Sequence, residues 1–345
     1  AFFWGCDHEY GLFNINEQST MPVKFSPSPL WRGVFVGSGS DGLSQMRVVQ
    51  EIIKLTNKQP EEIKLSYLGT ATYDLPIPRQ RQTAVFENIG CQVRDVSLAD
   101  PSLPVNLANV KDLVQSADVV IVSGGNTLYA IDRWRQLGVD QLLLEARDRG
   151  CVLAGGSAGA ICWFDGGHSD SMDPETFRVA MVKHKNLRLQ SDESSNAPQN
   201  KKNVKDWNYI RVSCLGFFPG LVCPHYDKVQ SNGILRAKDF EKMMLKHTEE
   251  NALGIDHWAA LVVEGERYNV LSLPGKPGSL LPNSNFSPTA EGVPWIWMKR
   301  VVNGGTKVSS NPIAKEGLLV DILKEAQNII LDPMEEKCRE LNPSK

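Results

Sequence analysis

The sequence predicts an α/β fold built on a mostly parallel sheet with helices on both faces. Three observations predict it. Short, nearly continuous apolar runs at 33–39 (GVFVGSG), 63–71 (IKLSYLGTA) and 118–126 (DVVIVSGGN) read as strands buried on both sides. Stretches with helical spacing follow them, which is the βα alternation of a parallel sheet. Three runs end in glycine turns, at 37–39, 124–126 and 155–157, where the carboxyl ends of parallel strands gather ligands.

Taken in order, the first strand leads into 44–56, where Met46, Val49, Ile52, Ile53 and Leu55 repeat at helical spacing. The second leads into a helical pattern around Arg79 to Glu87, and CQVRDVSL (91–98) into NVKDLVQSA (109–117). DVVIVSGGN leads into TLYAIDRWRQLG (127–138), and VDQLLLEARDRG (139–150) leads into the strand CVLAGG (151–156). Beyond Phe164, residues 183–207 are polar with almost no apolar anchors and are expected to form an exposed insertion. Strand-like runs return at 215–225, 261–273 and 293–302, with a helix between them over 234–250. Residues 317–330 are expected to form a terminal amphipathic helix. The expected organisation is an N-terminal extension over 1–30, one α/β domain over 31–330 and a tail over 331–345. The extension carries no functional weight in this reading, because Met21 opens MPVKFSPSPLWRG as an ordinary protein start would.

The 345 residues hold 40 acids against 37 bases, a net charge of −3, so no basic surplus points to nucleic acid or a membrane surface. Small or peptide substrates are expected, and exposed sheet edges are compatible with a homodimer. Seven cysteines without CxxC spacing point to a reducing compartment and no zinc site, and neither a metal nor a cofactor is expected. No window has the ~18 apolar residues of a membrane helix, and the expected localisation is cytoplasmic.

CVLAGGSAGAICWF (151–164) places Ser157 between glycines just after a strand, a G-x-S-x-G pattern in its strand-turn-helix context. A nucleophilic serine needs such a turn, which crowds out side chains and leaves backbone N–H groups to hold an oxyanion. The plainer readings are a serine capping the following helix, or a glycine turn receiving a phosphate. The second turn, Gly124-Gly125, aims more N–H groups at the same sheet edge. His225, just past the apolar run GLVCPH, is the candidate base and His168 the next. His257 reads as a packing or edge residue, and His184 and His247 as solvated. Candidate acids are Asp165, Asp170, Asp173 and Asp227.

GGNT, GGSAGA and PHYD, in this order and with these strand contexts, resemble the serine peptidases of the dipeptidase E (alpha-aspartyl dipeptidase) family, with cyanophycinase as a more distant relative. The resemblance runs from about Val34 to Leu271 and includes LGID at 253–256. It implies a three-layer, flavodoxin-like fold of the glutamine-amidotransferase type and a cofactor-independent serine peptidase. By motif position, Ser157 would be nucleophile, His225 base and Asp170 the acid, with Asp173 its alternative. The oxyanion would rest on the N–H groups of Gly125 and Ala158. Dipeptides with N-terminal aspartate are the implied substrates, and Arg236 the implied holder of the aspartate carboxylate. Beta-aspartyl-arginine peptides are the rival substrates, and a non-catalytic ligand-binding member of the fold is the rival class.

Overall fold

A computed structural model of the chain describes residues 25–100, 103–173, 206–288, 291–333 and 335. The expected extension, tail and polar insertion lie mainly outside them. The parallel heart of the fold consists of β1 (Arg32–Val36), β2 (Lys64–Leu68), β3 (Gln92–Asp95), β4 (Val119–Val122) and β5 (Val152–Gly156). Their spatial order is β1-β5-β4-β2-β3. Connecting them are α1 (Ser40–Leu43), α2 (Met46–Thr56), α3 (Pro76–Asn88), α4 (Leu107–Gln115), α5 (Thr127–Leu137) and α6 (Val139–Asp148).

The strands alternate between two cores, which is why their sequences are apolar throughout. Val34, Val36, Val119, Ile121 and Val152 face Val49 and Ile52 of α2 and Phe86 of α3. Phe35, Val120, Val122 and Leu153 face the opposite core, with Val110 of α4, Ile131 of α5 and Leu143 of α6. Each such side chain contributes roughly 1.5–3 kcal/mol on burial. This is the helix-sheet-helix layering expected of a flavodoxin-like fold.

After β5 the chain runs through α7 (Ala158–Ile161), β6 (Phe164–Ser169), β7 (Ile210–Ser213), β8 (Phe218–Cys223), α8 (Arg236–Met244), β9 (Ala252–Ile255), β10 (Ala259–Glu264) and β11 (Arg267–Ser272). It ends with β12 (Ile296–Val302), β13 (Lys307–Pro312), β14 (Glu316–Leu318) and α9 (Leu319–Ile322). Strands β10, β11 and β14 extend the main sheet antiparallel from β1, giving eight strands. The others form a second sheet, in the order β13-β12-β9-β8-β6-β7. Phe35 joins the two sheets: its ring meets Phe164 and Phe218 edge-on at 5.3 and 5.2 Å. Phe240 and Met244 of α8 cover the far face of the second sheet against Leu221 and Trp297.

The helix expected over 317–330 is a correction. Leu318 pairs with Arg267 and Gly317 with Tyr268, so the chain completes the edge of β11 before a single helical turn, Leu319–Ile322. Unpaired backbone groups along a strand edge outweighed the apolar periodicity of that segment.

Candidate active site

Ser157 stands at the end of β5 with φ 57° and ψ −118°, outside the regions a side-chain-bearing residue favours. Strain of this kind costs about 1–3 kcal/mol and persists where the surroundings impose it. The imposing contacts are backbone. A Cβ on Gly156 would lie 2.0 Å from Ser38 O, so only glycine lets the β1 and β5 turns touch. Gly125 has φ +122°, and a Cβ there would lie 2.3 Å from Ala71 O. At Gly124 a Cβ would come within 3.3 Å of Gly39 Cα and 3.4 Å of Ser157 Cβ. The three glycine turns of the sequence therefore meet at the serine.

The Ser157 side chain makes no capping bond to α7, which disposes of the capping reading. Among the described residues its hydroxyl has no hydrogen-bond partner, and it retains 7% exposure. The N–H groups of Gly125 and Ala158 also have no backbone acceptor among the described residues. Cys162, one turn further on, is buried, and desolvation pushes its thiol well above the ordinary range, so it is no rival nucleophile.

His225 arrives from the second sheet, two residues past β8, with φ 48°. Its N–H donates to Gly37 O at 2.8 Å, while Ser157 N–H donates to the adjacent Val36 O at 3.1 Å. Consecutive carbonyls at the end of β1 thus hold the backbones of both residues. Burial, then the charges of Arg236, His257 and Lys228, lowers the His225 pKa well below the usual histidine value.

The side chain that meets the ring of His225 is a second histidine, not the expected Asp170. The ring of His225 meets His257, Nδ1 to Nδ1 at 2.8 Å, and His257 Nε2 lies 3.1 Å from Asp41 Oδ2. Asp170 instead accepts from Arg236 Nη1 at 3.2 Å. The Arg236 guanidinium is fully buried, donates Nη2 to His168 O at 2.5 Å and lies 5.0 Å from the Tyr209 ring centroid. A buried guanidinium requires a carboxylate more than a neutral imidazole does, and Asp170 supplies one to Arg236. Asp173 accepts from Ser231 Oγ at 2.8 Å. Asp227 holds His257 by its backbone, accepting its N–H at 2.7 Å.

Two further histidines differ from expectation. His168 is fully buried with Nε2 2.9 Å from Asp239 Oδ1, and burial lowers its pKa to about 4. His247 is buried beside Glu250, where solvation was expected. His257, read as packing, is the one the sequence reading missed. The signal was available in register. β8 and β9 are parallel with Cys223 opposite Gly254, so the turns after them, carrying His225 and His257, emerge side by side. Among the described residues no group of three or more His, Cys, Asp or Glu side chains is gathered as a metal ion requires. No described helix is long and apolar enough to cross a membrane.

The family model described as Peptidase family S51 matches residues 34–271. A Trypanosoma brucei brucei protein named G2/mitotic-specific cyclin-1 is 27% identical over 331 residues, 91% of this chain and 94% of that protein. The uncharacterized peptidase YgaJ of Bacillus subtilis is 28% identical over 194 residues, 56% of this chain and 68% of its own length. Among solved structures, a peptidase from an acI-B1 Actinobacterium superposes with a TM-score of 0.51 at 16% identity. The match covers 84% of this chain and 96% of that one, a likeness of fold.

Proposed function

The chain belongs to peptidase family S51 and is a peptidase, and we propose that it is a serine exopeptidase that hydrolyses short peptides through an acyl-enzyme on Ser157. The observation that carries this reading is the strained serine at the meeting of three glycine turns, its hydroxyl uncommitted among the described residues. A backbone position that disfavours any side chain yet keeps a serine is the expected form of a nucleophile elbow.

Ser157 Oγ attacks the scissile carbonyl carbon and its proton passes to His225 Nε2. The N–H groups of Gly125 and Ala158, without backbone acceptors among the described residues, receive the oxyanion. His225 then delivers the proton to the leaving amine as the C–N bond breaks, and water repeats the sequence on the acyl-enzyme. The environment that depresses the His225 pKa keeps its ring neutral, as a base must be at neutral pH.

Dipeptides with N-terminal aspartate are the proposed substrates on the family resemblance, with beta-aspartyl-arginine peptides as the alternative. The Arg236 guanidinium, expected to hold the aspartate carboxylate, is fully buried and bonded to Asp170. The test is hydrolysis of Asp-Leu, a panel of other dipeptides and beta-Asp-Arg by wild type and Ser157→Ala, with fluorophosphonate labelling alongside. Turnover and labelling lost together in the variant support the reading; undiminished turnover by Ser157→Ala sinks it. A second reading, a non-catalytic member of the fold, is favoured by the cyclin name of the trypanosome relative. A wild-type protein that neither labels nor turns over any of these peptides would select it.

A further inference from the structure

The turn that ends β1 touches the serine and both histidines of the candidate site. Val36 O accepts from Ser157 N–H and Gly37 O from His225 N–H. Ser38 Oγ donates to His257 O at 2.6 Å, and Asp41, at the start of α1, reaches His257 Nε2. Six consecutive residues therefore hold one serine and two histidines that come from two different sheets. The hydrogen bonds among the side chains run in one line, from Asp41 to His257 to His225.

We propose that His257 and Asp41 are positioning residues for the reaction at Ser157, His257 fixing the tautomer and orientation of the His225 ring and Asp41 fixing those of His257. The proposal rests on Ser157 being the nucleophile and His225 its base. The proton assignment follows from the chain itself. A carboxylate only accepts, so His257 Nε2 carries a proton directed at Asp41. A neutral His257 then has a bare Nδ1. The 2.8 Å contact between the two Nδ1 atoms holds one proton, which must sit on His225. His225 Nε2 is left as a lone pair, the form a base needs to accept the serine proton. When that proton arrives, His225 bears a positive charge while keeping Nδ1–H on His257, and Asp41 supplies the compensating negative charge through the intervening ring. Arg236 and Lys228 both act against that charge, so the compensation has something to overcome.

The groups around the pair fit this reading. Asp227 and Lys228, from the turn after β8, pair with each other at 3.1 Å, and Asp227 accepts the backbone N–H of His257, leaving the imidazole to Asp41 and His225. Desolvation first, then Lys228, lowers the pKa of His257, while Asp227 and Asp41 raise it. Protonation of His257 would turn its Nδ1 into a donor, force His225 into the opposite tautomer and fill Nε2. Acid therefore disables the base by way of its neighbour.

The experiment measures the rate of fluorophosphonate labelling of Ser157 against pH in the full chain for wild type, His257→Gln and Asp41→Ala, with kcat and KM for the best dipeptide. His257→Gln should slow labelling about 10²-fold or more, as loss of a tautomer-fixing partner does elsewhere. Asp41 is largely exposed, so its removal should leave folding intact. Asp41→Ala should lower kcat about tenfold with KM unchanged and move the acid limb to lower pH, because a group that raises the His257 pKa is gone. In the NMR spectrum of Ser157→Ala, a downfield imidazole N–H should be present, and adding His257→Gln should abolish it. A merely structural role would move neither the acid limb nor that resonance. Wild-type rates and an unshifted limb in both variants, with Ser157→Ala inactive, would overturn the relay alone. A wild type that neither labels nor turns over peptides would overturn the peptidase reading and the relay with it.

Discussion

The two sheets contribute to the site by different means. The eight-stranded sheet supplies Ser157 and builds its surroundings from backbone: glycine turns in contact, a strained φ and N–H groups without backbone acceptors among the described residues. The six-stranded sheet supplies His225 and, in the turn after β9, His257, whose ring is held by side chains, the carboxylate on its Nε2 coming from Asp41 beyond β1. Backbone contacts of the first kind tolerate no added atom. Side-chain contacts of the second kind tolerate substitution at a graded loss. Each substitution below tests that contrast.

The largest effect is expected where the two turns touch. In Gly156→Ala the added Cβ falls 2.0 Å from Ser38 O and 3.0 Å from Gly39 Cα, both backbone atoms. The β1 and β5 turns must separate, moving Ser157 away from His225 and opening the hub at Val36 and Gly37. A displacement of about 1 Å costs roughly 10²-fold in kcat, and overpacking of this kind costs about 1–3 kcal/mol of stability. Steady-state kinetics and urea unfolding on the same variant measure both. An active Gly156→Ala of wild-type stability would contradict the backbone account.

Phe35 tests whether the sheets act as one body. Its ring is fully buried against Phe164 and Phe218 of the second sheet. Phe35→Ala should cost about 3–5 kcal/mol, read as a shift of one cooperative urea transition. Two separate transitions would mean that the sheets unfold independently and that the site is assembled across a weaker seam than described.

How much of this was legible in the sequence follows the same division. Val119 to Val122 is apolar at every position because both faces are buried, so the parallel sheet could be read directly. The glycine turns could be read because close backbone approach leaves only one residue type. The second sheet was legible only as separate strand-like runs, since its ladders join β6 to β8 and β9 to β12 across long intervening segments. The side-chain half of the site was less legible for a related reason. A histidine after a strand and an aspartate after a glycine turn have no local mark; Asp41 and His257 are separated by 216 positions, and the β8–β9 register is what brings His257 beside His225. Asp170 and Arg236, expected as acid and as holder of the substrate carboxylate, pair with each other, the guanidinium being fully buried.

Acid should weaken the side-chain half first. The pKa values of His168, His225 and His257 are all lowered in the folded protein. Each ring is neutral when folded and takes a proton more readily when unfolded, so the unfolded state binds more protons as pH falls. The contribution to stability is therefore complete above the ordinary value of 6.5 and is lost as pH falls through the folded values. For His168, lowered to about 4, the loss is about 3 kcal/mol. Urea unfolding at pH 7 and pH 4 should differ by at least that order, with the difference reduced in His168→Phe. Peptidase activity should persist below pH 6.5 for the same reason, since His225 stays neutral there. An acid limb centred above 6.5 would mean that the base is a more exposed group.

The smallest effect is the most diagnostic for the serine. Standing at φ 57°, ψ −118° carries a conformational cost for Ser157, and glycine at that position relieves it. Ser157→Gly should gain about 1 kcal/mol in urea unfolding relative to Ser157→Ala, which keeps a Cβ in the strained position. Both variants should be inactive. Stability bought by deleting the residue the chemistry needs is the mark of a site held against its own backbone preference. Equal stability in the two variants would mean that the turn carries no strain, and the main structural support for reading Ser157 as a nucleophile elbow would fall with it.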